Sequence, residues 1–266
     1  MVINIVKNLR DSYDYANKAL HTFSNWITLI TISLLTMISM TMTIFGFTVA
    51  SVETIAPESL TLMLTNIPFI EMMGEFSLNF LCVGAITSLI FSILWTGFTL
   101  RVYRGGELKL GTWSSMFLEG LLATIISFVY FIPYLVISVL LKYYPMNNAV
   151  YALVAAIIEY VVILITCMVM TVALIRFAKQ KRFGAAFQMK ELFNVITTIG
   201  WLRYLGNIIV VGAVLLVVYV ILLLILVIGW VLIVVVAPLL AIWEARFFAN
   251  LYESAVATST STVIEE

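Results

Sequence analysis

Between Arg203 and Glu244 the chain runs for 40 residues without a charged side chain. A single helix of that length would measure about 60 Å, twice the roughly 30 Å hydrocarbon core of a bilayer. The run therefore predicts two membrane-crossing helices joined by a tight turn, with the break near Gly229 and Trp230. Four more segments satisfy the same length criterion of roughly 20 apolar residues. They are Trp26 to Val52, Phe76 to Leu100, Ser115 to Leu141 (interrupted only by Glu119) and Ala149 to Ile175 (interrupted only by Glu159). A mean hydropathy of +1.13, with 63% hydrophobic and 11% charged residues, excludes a water-soluble domain. The expected fold is an all-α integral membrane protein of six transmembrane helices in three hairpins, with amphipathic interfacial helices on the cytoplasmic side. An amphipathic segment (1–25) precedes the six-helix membrane domain (26–252), and a short polar tail without regular structure (253–266) follows it.

The basic residues orient this arrangement, because cytoplasmic loops collect Lys and Arg. With six spans, thirteen of the fourteen Lys and Arg residues fall on one side, and Lys142 stands alone on the other. Both termini are thus expected in the cytoplasm of a multi-pass cell-membrane protein. The first outer loop, Glu53 to Glu75, is acidic instead. The first 25 residues carry Lys7, Arg10, Asp11, Asp14 and Lys18, so no cleavable signal peptide is expected there. A net charge of zero without a basic face gives no reason to expect nucleic acid.

Two segments read as interfacial. Val2, Val6, Leu9, Tyr13, Ala16 and Leu20 recur at alternating steps of four and three with charges between them, an amphipathic helix period. From Phe183 to Trp201, Ala185, Met189, Leu192, Phe193, Ile196 and Ile199 share one arc, opposite Lys190, Glu191 and Asn194. Such a helix would lie at headgroup level. Arg176, Lys179, Lys181, Arg182 and Lys190 would then meet anionic headgroups of the bilayer, the expected partner.

The inner ends of the even-numbered spans read "LRVYR", "LIRFAK" and "EARFFAN", each an Arg followed closely by an aromatic. Asn25 and Trp26 open the first span, "LRVYRGGELKLGTWSSMFLEGL" joins the second and third, and "LIRFAKQKRFGAAFQMKELFNVI" follows the fourth. With the closing "EARFFANLYESA", these stretches resemble an archaeal family of polytopic membrane proteins, frequent in methanogens and known only as a domain of unknown function. The resemblance implies a multi-pass membrane protein and carries over no catalytic residue. The first outer loop departs from the family in its greater length.

Glu159, about ten residues into the fourth span, is the sharpest candidate for chemistry. Ionisable groups inside a membrane often mark ion or substrate paths, so it is a candidate proton or ion site. The alternative is a structural Glu hydrogen-bonded through Tyr130, Tyr134 or Asn79. Glu119, Glu244 and Arg246, at helix ends, read as snorkelling or locally paired groups. Pro133 and Pro238 are expected to kink or break their helices. Cys82 and Cys167 lack metal-ligand spacing, and the lone His21 cannot build a multi-histidine site, so no metal and no cofactor are expected. No phosphate-binding loop, dinucleotide turn, HExxH or GxSxG motif occurs. The expected function is non-enzymatic: transport of a small solute or lipid, or membrane homeostasis. A scaffold or subunit of a membrane complex, or a homo-oligomer, is the alternative, and a lipid-modifying enzyme is less favoured.

Overall fold

In hydrocarbon every backbone N–H and C=O must find a partner within the protein, and a continuous helix supplies one for each. The computed structural model describes residues 4–55, 68–106, 112–143 and 149–265. Among these residues lie eight α-helices and no strand. They are α1 (Ile5–Leu20), α2 (Phe23–Ile55), α3 (Pro68–Arg104), α4 (Trp113–Tyr143), α5 (Ala149–Gln180), α6 (Met189–Ile199), α7 (Trp201–Leu224) and α8 (Leu226–Glu265). Six of them, α2 to α5, α7 and α8, are long and apolar enough to cross a membrane. Many of the uncharged polar side chains described in these spans bond back to their own helix. Thr28, Thr31, Thr36, Thr41, Thr43 and Thr48 of α2 each donate to the carbonyl four residues back, at 2.7–2.9 Å.

Consecutive spans pair as three hairpins, α2 with α3, α4 with α5 and α7 with α8. The last is closed at its open end by Tyr204 against Phe248, edge to face at 6.3 Å. α8 is the central helix: 39% of its span is buried, against 11–17% in the others. It packs on α1, α2, α3, α5, α6 and α7. The fully buried side chains gather at the end of the bundle that carries the basic residues, among them Phe98, Leu100, Met116, Ile175, Leu192, Ile196, Tyr204, Phe247 and Leu251. Large apolar side chains remain exposed along the rest of the spans, such as Phe128, Val139, Leu153, Leu216 and Leu224, as a lipid-facing surface requires.

Several expectations change. The α7–α8 break falls at Ile225, not at Gly229 and Trp230. Gly229 already belongs to α8, where it lets the reversing chain close on itself: a Cβ there would lie 1.7 Å from the Leu222 carbonyl oxygen. The segment expected as one helix from Phe183 to Trp201 is a 3-10 turn (Phe183–Phe187), then α6, then a turn at Gly200 with φ of 89°. The inward face of α6 is Leu192, Val195, Ile196 and Ile199, while Met189 and Phe193 are exposed. That inward face meets α5, α7 and α8, so protein rather than lipid covers it.

The packed face of α1 is likewise displaced from the apolar arc read in the sequence. Asn8, Ser12 and Ala16 are buried, whereas Val6 and Tyr13 are exposed. The cause is the polar surface that α8 offers. Asn8 Nδ2 donates to the Phe247 carbonyl at 3.1 Å, Asn250 Nδ2 donates to Asn8 Oδ1 at 3.0 Å, and Trp243 Nε1 donates to the Leu9 carbonyl at 3.1 Å. The polar stretch 253–266, expected to lack regular structure, continues α8 as far as Glu265. The acidic loop 53–75 is helical at both ends, to Ile55 and from Pro68, and residues 56–67 lie outside the described residues. Pro133 and Pro238 stand inside α4 and α8, which run on as helix through both.

Candidate functional site

At the basic end most charges are tied to one another. Arg104 Nη1 sits 3.0 and 2.9 Å from the two Glu119 oxygens, and its Nε donates to the Ala178 carbonyl at 2.8 Å. One side chain thereby joins α3, α4 and the last turn of α5. Glu253 of α8 accepts from Lys179 at 2.6 Å and from Arg246 at 3.2 and 3.3 Å. The Arg246 guanidinium lies over the Tyr15 ring, 5.2 Å from its centroid, and Tyr15 donates to the Gly106 carbonyl at 3.0 Å. Burial pushes the Tyr15 phenol up, against the pull of Arg246. The phenol therefore stays a donor at neutral pH. An open basin of about 600 Å³ lies between α1 and α8, with Asp11, Asp14, Lys18, Arg246 and Glu253 on its walls.

The five basic residues singled out in the sequence divide into two groups. Arg176 holds Gln188 Oε1 at 2.5 Å and faces Glu191 at 3.8 Å, and Lys179 is bound to Glu253. Both work inside the protein. Lys181, Arg182 and Lys190 are exposed and point their charge outward.

Glu159 is half-buried on α5, and it accepts a hydrogen bond from Ser138 of α4 at 2.8 Å. Neither expected tyrosine holds it through a described bond. Tyr130 donates instead to the Ala186 carbonyl at 2.5 Å and stacks on Phe187. Asn79 is exposed. Glu159 precedes Arg176 by 17 residues, which places it about 25 Å along the helix from the basic end.

A different carboxylate occupies a cavity. Glu244 of α8 is half-buried beside a half-open space of about 210 Å³ bordered by α3, α5 and α8. α3 contributes Trp95, Thr99 and Tyr103, spaced four apart and hence on one face, and α5 contributes Thr171. Thr99 donates to the Trp95 carbonyl at 3.0 Å and Thr171 to the Cys167 carbonyl at 2.9 Å. Both hydroxyl protons are thus directed into the helix backbones, which leaves the two oxygens as acceptors, that of Thr171 also within hydrogen-bond reach of Tyr204. Among the described residues no Lys or Arg forms an ion pair with Glu244. Trp95 also lines a second space, a groove of about 310 Å³ between α2 and α8 whose walls include Met37, Met40, Ile44, Ile233 and Ala237. Thr36 and Thr41 in that wall donate to their own helix. Among the described residues no three His, Cys, Asp or Glu side chains converge as metal ligands.

A family model described as "Protein of unknown function (DUF4013)" matches residues 80–227, more than half of the chain. The chain belongs to this family. No curated protein and no solved structure matches it.

The DUF4013 segment runs from α3 to the start of α8. It contains Trp95, Thr99, Tyr103 and Thr171 of the cavity, Glu159, and all five singled-out basic residues. It excludes α1, α2 and Glu244. The site is therefore built between the family segment and the helices that flank it. Sequence reasoning passed over Glu244 because a carboxylate at a span end has an inexpensive explanation in snorkelling. The available signal was the stripe Ala237, Ala241, Glu244, Ala245 and Phe248, in which small residues on both sides leave room beside one acid.

Proposed function

We propose that this protein is a non-enzymatic multi-pass protein of an archaeal cell membrane that binds and moves a lipid or small solute at the cytoplasmic face. The carrying observation is the junction at Trp95, where an acid-lined cavity at the basic end meets an apolar groove between spans. A ligand with a polar head and an apolar body fits that pair of surfaces better than a purely polar solute does. Several features support the cytoplasmic assignment of the basic end. The sequence assigns thirteen of its fourteen Lys and Arg residues to segments expected on that side, and Lys181, Arg182 and Lys190 are exposed to meet anionic headgroups. Val6 and Tyr13 give α1 an exposed apolar edge for the same interface.

Full-length protein, purified in mild detergent and examined by native mass spectrometry, should retain membrane lipid through washing. Ala237→Trp, which fills the groove, should reduce that retention several-fold. Wild type that keeps no lipid, or a filled groove that keeps as much, overturns the reading. Orientation has its own check in a background lacking Cys82 and Cys167. A cysteine at Lys142 should react with an impermeant maleimide on intact cells, and one at Lys181 only after permeabilisation. The opposite pattern inverts the topology. In the same lipid assay Glu159→Gln should leave retention within about twofold, since Ser138 holds that carboxylate outside both spaces. A large loss would restore Glu159 as an ion-path residue.

A further inference from the structure

We propose that the Glu244 cavity is the headgroup site for a membrane lipid bearing a primary ammonium, whose chain lies in the α2–α8 groove. The inference rests on the lipid-handling reading above and names the ligand class for that same site.

The first argument is the count of donors and acceptors. The cavity presents the Glu244 carboxylate together with Thr99 and Thr171 oxygens whose own protons are already bonded to Trp95 and Cys167 carbonyls. A primary ammonium carries three N–H donors and no acceptor. It is the complement of such a wall, whereas a phosphate or carboxylate head would face oxygen with oxygen. Tyr103 adds a buried phenol to the lining, a group that serves as donor or acceptor.

The second argument is charge. A half-buried carboxylate next to apolar surface is costly unless a cation accompanies it. The arginines at this end of the bundle have other partners: Arg104 has Glu119 and Ala178, Arg246 has Glu253 and Tyr15, and Arg176 has Gln188 and Glu191. Among the described residues no Lys or Arg pairs with Glu244, so a cationic ligand would supply the charge that favours its ionised form. The Trp95 indole lines both spaces.

The third argument is length. Ala237, Ala241, Glu244 and Phe248 form one stripe on α8, so groove and cavity follow each other along a single helix face. Ile233 in the groove and Glu244 in the cavity are 11 residues apart, about 16 Å along the helix, which is close to half of a roughly 30 Å hydrocarbon core. A lipid of one leaflet, its head level with the basic end, spans that distance.

The test titrates detergent-purified full-length protein with two diacyl lipids of identical chains, one with an ethanolamine and one with a glycerol headgroup. Binding is read by native mass spectrometry. Wild type should prefer the ethanolamine lipid by about tenfold, the scale of one charge-assisted hydrogen bond. Glu244→Gln should bring the preference to within about twofold while chain-driven binding of both lipids persists. Thr99→Val, a milder change in the same wall, should lower it partway. Equal binding of the two lipids by wild type, a preference for the glycerol lipid, or a preference that survives Glu244→Gln overturns the ammonium assignment. In those cases lipid handling still stands if Ala237→Trp weakens both lipids. Wild type that binds neither lipid overturns the underlying reading itself.

Discussion

Replacing Gly120 with leucine is expected to prevent the bundle from assembling. At this position α4 lies directly on the backbone of α3: a Cβ would stand 1.9 Å from the Ile93 carbonyl oxygen and 2.9 Å from the Gly97 nitrogen. Gly97 repeats the contact from the other side, where a Cβ would lie 2.0 Å from the Met116 carbonyl oxygen. No rotamer relieves a clash with main chain, so the two helices must separate. Separation opens the surroundings of Met116, Phe98 and Ile126, all fully buried. Close backbone approach through small residues is how membrane helices gain attraction when lipid is as apolar as the core. The expected loss exceeds about 4 kcal/mol, in the range reserved for gross packing failure, and even Gly120→Ala should be strongly destabilising. Gly206→Ala is the control, because nothing lies within 4 Å of a Cβ there. It should be neutral, or stabilise by up to about 1 kcal/mol through helix propensity. Thermal unfolding and size-exclusion profiles in detergent decide the matter. Similar profiles for Gly120→Ala and Gly206→Ala would show that the α3–α4 contact has no energetic importance.

The second large effect belongs to Arg104→Met. Its guanidinium neutralises Glu119 and also caps the carbonyl of Ala178, one of the last four of α5 and so without a partner in its own helix. The two side chains are 20% and 27% exposed, so solvent screens the pair only in part. Removing the arginine leaves a partly buried carboxylate alone, at an expected cost of about 2–4 kcal/mol. The double replacement Arg104→Met with Glu119→Met should recover much of that, because the uncompensated charge leaves with its partner. If the single and double variants unfold at the same temperature, the loss lies in the Ala178 cap and not in the ion pair.

Legibility differed from one element to the next for identifiable reasons. The six spans were readable because hydropathy responds to length alone, and a wholly apolar run of 40 residues has few alternatives. The turn inside that run was misplaced by about one helical turn, since Gly229 looked like a breaker but serves a close backbone contact with Leu222. The packed faces of α1 and α6 were read with the rule for a helix on a lipid surface. α8, however, presents α1 with the Phe247 carbonyl and Asn250, which makes Asn8 and Ser12 the inward residues. The candidate site was less legible still. Glu159 attracted attention by interrupting an apolar span, and Glu244 was discounted because it ended one.

The sequence by itself determined the number of spans, their approximate limits, the concentration of basic residues at one end and membership in a class of chains that water cannot fold. These follow from the cost of placing charge or unbonded backbone in hydrocarbon, which depends on residue type and run length. Tertiary structure alone decided that α8 is central, that α3 and α4 meet closely at Gly97 and Gly120, that Arg104 joins three helices and that Glu244 borders a cavity. Those facts depend on the rotation of each helix about its axis. In a membrane, lipid-facing and protein-facing sides are equally apolar, so no periodicity in the sequence records that rotation.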